Sequence, residues 1–148
     1  MLKLYTILFC CFTSILLLSC SPSPKVIEYG EDNCEFCRMS IVDPQFAAEV
    51  VSSKGRAYKF DAIECMIRYM DQENGEFSLL LVNNFDKPKL LADSRVSYYL
   101  ISENVPSPMG AYLSAYSNLI AAEQMQKLKG GVIYSWDELI NHFTNIRN

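Results

Sequence analysis

The amino-acid sequence predicts an α+β protein of two related ββαβ units that share a small core, followed by a C-terminal helix. Three observations support this fold class. The order strand, strand, helix, strand occurs twice, the helical segments carry apolar residues at helical spacing, and Gly, Pro or Asn turn signals separate the elements. With 148 residues, half of them hydrophobic, the chain suits one compact domain.

The N-terminal residues 4–18 form an almost unbroken apolar run, which is too short for a comfortable membrane span and is typical of a secretory signal. The Leu-Leu-Ser-Cys sequence that follows resembles a bacterial lipobox. We therefore expect a lipoprotein signal peptide over residues 1–19 and a lipid on Cys20. A tether over residues 20–33 then leads into a folded domain over residues 34–148. An uncleaved anchor helix is the alternative, and either arrangement places the domain on the periplasmic side of a cell membrane.

The first unit, about residues 34–83, is predicted from its turn and capping residues. A hairpin-type turn at residues 53–56 separates two strand-like segments, and Asp61 with Glu64 matches the capping box that opens a helix. Apolar residues at helical spacing continue to about residue 72, before an Asn-Gly stop signal. The predicted elements are strands 46–52 and 57–60, a helix 61–72 and a strand 77–82.

The second unit, about residues 89–148, repeats this order. A helical segment begins at Asn118, and Gly130-Gly131 stops it. Ser135-x-x-Glu138 is a second capping box, which opens the C-terminal helix. One face of the helical segment is predicted to be apolar, with Leu119, Ala122, Met125 and Leu128. The predicted elements are strands 89–92, 96–101, 111–116 and 132–134, and a helix 118–129.

The charge pattern excludes some classes of function. The chain carries a formal net charge of −4 and has no basic run, whereas nucleic-acid binding needs clustered Lys and Arg to neutralise phosphates. Hydrolytic catalysis is not expected either, because the chain has a single His, His142, and no paired carboxylates stand out. We predict that the protein is not an enzyme.

The segment Cys34-Glu35-Phe36-Cys37-Arg38-Met39 carries the chemistry that the sequence suggests. Outside the cytoplasm a Cys-x-x-Cys pair is a local disulfide, a redox pair or half of a metal site. Met39 favours the metal, because in an extended segment Cys37 and Met39 would point to the same side. Soft sulfur ligands without imidazole favour a soft ion such as Cu(I).

Three further residues have side chains that could bind a metal ion. Cys65 lies in a helix of core residues, where a cysteine is usually a small buried hydrophobe. Met109 lies between Pro108 and Gly110 in a loop, which is an unusual place for a core residue and suggests a second soft ligand. His142, on the terminal helix, is expected at the surface.

Together these motifs resemble the NosL family, the copper lipoproteins that are accessory to nitrous oxide reductase. The resemblance rests on the lipobox at Cys20, the segment 34–39 with Asp43-Pro44-Gln45-Phe46-Ala47-Ala48, the segment 58–61 before Cys65-Met66, and Ser107-Pro108-Met109-Gly110. It implies a NosL/MerB-like fold and a monomer that binds one Cu(I). It also implies a role in supplying copper to nitrous oxide reductase, and docking onto the membrane-bound maturation complex, an ABC-type transporter with a periplasmic subunit.

Carried over to this chain, the resemblance makes Cys37, Met39 and Met109 the expected metal ligands, with Cys34 as a further candidate. Family members with a His shortly after Pro-Met-Gly differ from this chain, in which Ala111 follows Gly110. Cys65 or His142 would have to replace that imidazole, or the site would consist of sulfur alone.

Two alternatives stay open from the residues. A thiol-disulfide oxidoreductase would use Cys34 and Cys37 as its redox pair, although such pairs normally open a helix. A structural zinc module would need four ligands, which Cys34, Cys37, Cys65 and His142 would supply.

Overall fold

A computed structural model of the chain describes residues 21–73 and 75–146. The predicted signal peptide and the lipidation site at Cys20 lie outside the described residues. Within the described ranges, no helix is long and apolar enough to cross a membrane.

The first unit folds into a four-stranded antiparallel sheet with one helix. Its elements are β1 (Ala48–Ser52), β2 (Ala57–Phe60), α1 (Ile63–Glu73), β3 (Phe77–Asn84) and β4 (Lys87–Asp93). Strand β1 lies between β2 and β3, and β4 forms the edge beyond β3. The strand predicted at residues 89–92 as part of the second unit therefore belongs to the first sheet, because it pairs with β3. Helix α1 follows β2 and packs on β1, β2 and the second sheet.

The second unit repeats the arrangement with a three-stranded antiparallel sheet. Its first strand, β5, again lies between the second and the third. This shared strand order confirms the predicted pair of ββαβ units. After a short 3₁₀ turn (Ser94–Val96), the elements are β5 (Tyr98–Ile101), β6 (Leu113–Tyr116), α2 (Leu119–Lys129), β7 (Val132–Tyr134) and the C-terminal helix α3 (Trp136–Ile146).

One hydrophobic core joins the two units. Phe60 and Met66 of the first unit, and Tyr99 and Leu139 of the second, are buried in the same cluster. A smaller cluster beneath α2 centres on Leu100. The two sheets are therefore parts of one packed body, as the prediction of a shared core requires.

The chain before Cys34 also lies against this body. Ile27 is buried, and the Lys25 backbone N–H donates to Glu49 Oε1 at 2.9 Å. Asn83 donates its side-chain amide to the Tyr29 hydroxyl. Residues 25–33 thus pack on the first sheet, N-terminal to the predicted domain start.

Of the two predicted capping boxes, the structure contains one and lacks the other. Glu138 accepts from the Ser135 N–H at 2.8 Å, as the predicted capping box requires. Asn118, predicted as the first residue of the helix, instead caps α2 by accepting from the Ala121 N–H. The capping box predicted at Asp61 is wrong, because Glu64 points away to other partners. Leu128, predicted on the apolar face of α2, is 78% exposed because α2 buries little more than Ala122.

Candidate metal centre

The Cys-rich segment folds into a closed loop. The Cys34 N–H donates to the Met39 carbonyl at 2.8 Å, and the Arg38 N–H donates to the Cys34 carbonyl at 3.0 Å. Arg38 has a φ of 66°, in the left-handed region that ends such a turn. The assumption of an extended chain from Cys37 to Met39 is therefore wrong, and these two side chains are not related by strand geometry.

This loop is held against the start of α1. The Glu35 N–H donates to the carbonyl of Lys59 at 2.8 Å, on β2, the strand that leads directly into α1. Cys65 lies in the first turn of α1 and is fully buried. The fold thereby brings a residue of the helix next to the thiols of the loop.

Three free thiols meet at this junction. The sulfur atoms of Cys34, Cys37 and Cys65 all lie within 4.8 Å of one another. Cys34 and Cys65 are fully buried, whereas Cys37 is partly exposed. The cluster is therefore closed on the core side and open to solvent at Cys37.

Hydrogen bonds give the three thiols different acidities. The Cys65 thiol donates to the Cys34 sulfur, as do the backbone N–H groups of Cys37 and Asp61, and these bonds lower the pKa of Cys34 to about 5. Donating to Cys34 raises the pKa of Cys65, and burial raises the pKa of Cys37. Cys34 is therefore the most acidic of the three thiols, and any thiol that retains its proton must lose it when a metal binds.

The cluster fits one soft metal ion. Thiolates that share an ion at a metal–sulfur distance of about 2.3 Å, as in zinc sites, lie about 4 Å apart in a trigonal arrangement. The observed spacing within 4.8 Å needs only a small contraction. Among the described residues no His or carboxylate joins the group, so its donors are all soft.

The other candidate ligands, Met39, Met109 and His142, have three different environments. Met39 ends the Cys-rich loop with its side chain 53% exposed. Met109 is half-buried and packs on the core cluster that contains Cys34 and Cys65. His142 lies on α3 with its ring 5.0 Å from that of Tyr134, and it is outside the thiol group.

Cys65 is the residue whose place the sequence did not predict. Its burial was expected, but its contact with the Cys34 thiol depends on how β2 and α1 fold onto the loop. The sequence does contain one signal for a role of Cys65 in the site. If Cys34 and Cys37 are paired, Cys65 has no disulfide partner of its own.

The two alternative sites lack their expected geometry in the described part of the chain. The four-ligand zinc set is incomplete, because His142 is not among the grouped side chains. Residues 35–37 form a turn and not the first turn of a helix, where low-pKa redox cysteines are normally placed.

Comparisons with known proteins agree with these features. The model of the NosL family matches residues 27–143. The crystal structure of the copper chaperone NosL from Shewanella denitrificans matches with a TM-score of 0.70 at 16% sequence identity, covering 80% of this chain and 96% of that chain. No curated protein matches the sequence. At this identity the structural likeness establishes the fold.

Proposed function

The chain belongs to the NosL family, and from that premise we propose that it is a membrane-anchored carrier that supplies Cu(I) for the maturation of nitrous oxide reductase. The group formed by Cys34, Cys37 and Cys65 is the observation that carries the copper part of this proposal. The structural relative is itself described as a copper chaperone. Carriage needs binding and release of an ion, and no catalytic step.

The donor set favours Cu(I) over harder ions. Three sulfurs in one group, with the pKa of Cys34 lowered by the hydrogen bonds that its sulfur accepts, suit a soft monovalent ion that accepts low coordination numbers. Met109 adds a thioether that needs no deprotonation. We assign the three thiols as the main ligands and Met109 as an additional ligand from the second unit.

Release would proceed by ligand exchange at the open side of the cluster. Cys37 is partly exposed and Met39 is mostly exposed, whereas Cys34 and Cys65 are buried. An incoming partner would therefore first meet the ion on the side of Cys37. Met39 would serve as a transient ligand there while the partner replaces the buried thiols one at a time.

A lipid on Cys20 would keep this carrier at the membrane. The lipobox supports that assignment, together with a periplasmic location. The recipient we propose is the nitrous oxide reductase maturation complex, an ABC-type transporter with a periplasmic subunit, to which the protein would dock as a monomer.

Copper binding is tested by competition for Cu(I) between the reduced protein, without residues 1–19, and a chromophoric chelator. We expect one tight equivalent in the wild type and its loss in a Cys34→Ala/Cys65→Ala variant. Met109→Ala should weaken binding without unfolding the protein. A reduced wild type that does not compete for Cu(I) would contradict the copper proposal.

Anchoring and delivery need separate measurements. The full-length protein should partition into detergent with the membrane fraction, and Cys20→Ala should release it. Copper-loaded protein should raise the copper content of nitrous oxide reductase in the presence of the maturation complex. The Cys34→Ala/Cys65→Ala variant, which lacks two of the three thiols, is the matched control. Equal copper incorporation with this control would contradict the delivery role.

A further inference from the structure

Glu64 is a buried acidic residue that links the two units beside the metal centre. It lies in the first turn of α1, directly before Cys65, and its side chain is fully buried. Its Oε1 accepts a hydrogen bond from the Ser107 hydroxyl at 2.5 Å and another from the Ala111 N–H at 3.3 Å. Both donors belong to the second unit.

The two donors lie on either side of Met109. Between them the chain makes a tight turn, closed by the Gly110 N–H, which donates to the Ser107 carbonyl at 3.0 Å, and Gly110 has a φ of 75°. Pro108 restricts the turn further. The loop has little freedom of its own, so one side chain that holds both ends fixes where Met109 lies relative to α1.

A requirement for stability alone does not explain this arrangement. Glu64 Oε2 is buried and has no hydrogen-bond partner among the described residues, and burying a carboxylate with an unpaired oxygen is costly. Apolar residues in place of both Glu64 and Ser107 would fill the same space without that cost. An acceptor that bonds both ends of one loop instead provides a specific position for that loop.

We propose that Glu64 is a positioning residue that holds the Met109 loop of the second unit against the helix that carries Cys65, and so sets the contribution of Met109 to Cu(I) binding. This inference rests on the proposed function. It adds a residue that touches neither the ion nor the partner. Residues that orient metal ligands typically change metal affinity by about 10- to 100-fold when removed.

The test measures Cu(I) affinity for a set of single and double variants. Glu64→Ala should weaken binding about tenfold, as should Met109→Leu, and the double variant should be no weaker than either single variant. Glu64→Gln should retain most of the affinity, because an amide oxygen can accept both hydrogen bonds. Wild-type affinity in a folded Glu64→Ala, or additive losses in the double variant, would overturn the proposal.

A spectroscopic measurement separates positioning from a general effect on the fold. In protein labelled at the methionine methyl carbons, the Met109 resonance, assigned with Met109→Leu, should shift when Cu(I) is added to the wild type. The shift should be absent in Glu64→Ala. A full Met109 shift in that variant would overturn the positioning role.

Two further variants keep the test decisive. If Glu64→Ala does not fold, Ser107→Ala removes the shorter hydrogen bond and should weaken Cu(I) binding in the same way. Ser114→Ala is the matched control, because Ser114 is another buried serine, bonded to the Leu100 carbonyl, and its loss should leave affinity unchanged. If the wild type binds no Cu(I), the proposed function fails. If it binds and Met109→Leu has no effect, the positioning role fails together with the assignment of Met109 as a ligand, and the three-thiol copper site stands.

Discussion

The Cys65 thiol of α1 donates a hydrogen bond to the sulfur of Cys34, a residue of the loop that precedes β1. The two residues are far apart in the sequence and come from different kinds of element. Their contact makes the Cys-x-x-Cys pair into a three-thiol cluster. It also makes the ligand set dependent on the docking of α1 against the loop.

Replacing the helix thiol tests this relationship. Cys65→Ala should lower Cu(I) affinity by roughly 100-fold, or about 2.7 kcal/mol of binding free energy, because one of three clustered ligands is lost. Alanine is small and apolar, so the core should still form. The measurement is competition with a chromophoric chelator. Met66→Leu, at the next buried position, is the control, and unchanged affinity in Cys65→Ala would remove this thiol from the site.

The exposed thioether is expected to affect transfer more than affinity. Met39→Leu should leave equilibrium Cu(I) affinity within about threefold of wild type, a difference below 1 kcal/mol. It should slow the release of copper to an acceptor chelator, because an exposed ligand that stabilises the exchanging ion is lost. Stopped-flow absorbance follows the release. Met125→Leu, at a half-buried methionine of α2, should change neither quantity, and equal release rates in Met39→Leu and wild type would contradict the role of Met39.

Burial of Glu49 makes the stability of the fold depend on pH. Glu49 lies in the central strand β1, and its Oε2 has no hydrogen-bond partner in the part of the chain that the structure describes. Burial raises the pKa of its carboxyl group. Nearby Lys25, Lys59 and Asp32 modulate this shift without reversing it. The native state thus binds the proton more tightly than the unfolded chain. The stability contribution is complete below the unfolded pKa and is lost as pH rises through the folded pKa.

Glu49→Gln should remove the loss of folding stability that occurs as pH rises. The amide oxygen can still accept from the Lys25 N–H, and no carboxylate is then buried. We expect the variant to be more stable than wild type at pH 7, with the difference shrinking as the pH falls toward the unfolded pKa. Urea unfolding at several pH values measures this. A stability difference that is independent of pH would contradict the ionisation argument.

Two adjacent glycines after α2 provide a matched pair for a stability test. Gly131 has a φ of 101°, and a Cβ added there would press on the Ile101 carbonyl and lie 2.8 Å from Ser102 Cβ. Gly130 has a φ of 69°, but a Cβ there would meet open space. Gly130→Ala should cost about 1–3 kcal/mol of unfolding free energy from backbone strain alone. Gly131→Ala should cost more, because the sheet must also shift.

Thermal or urea unfolding of both variants compares the two costs directly. Equal losses would mean that β5 moves freely to accommodate the new methyl group. In that case the close approach of the chain at Gly131 to β5 does not constrain the fold.

Much of the architecture follows from local sequence. Strand β7 has its predicted bounds, and α2 begins after Asn118 and ends before Gly130, as capping residues indicate. Such signals act over a few residues, because a cap or a turn satisfies backbone groups of its own segment. The repeated strand, strand, helix, strand order then restricts the topology to a small number of arrangements.

The same local logic failed where a side chain had a distant partner. Asp61 and Glu64 have capping-box spacing, but Glu64 bonds Ser107 and Ala111 of the second unit. Because Glu64 is buried against the second unit, its carboxylate bonds donors there and not the N–H groups at the start of its own helix. No pattern within α1 encodes that choice.

The sequence by itself determined the order of the elements and the soft donors in residues 34–39. The tertiary structure decided which donors meet. It added Cys65 to Cys34 and Cys37, left His142 outside the thiol group, and bonded Glu64 of α1 to both ends of the Met109 loop. The reason is physical: periodicity and capping depend on neighbours in the chain, whereas a metal centre depends on distances set by the packing of separate elements.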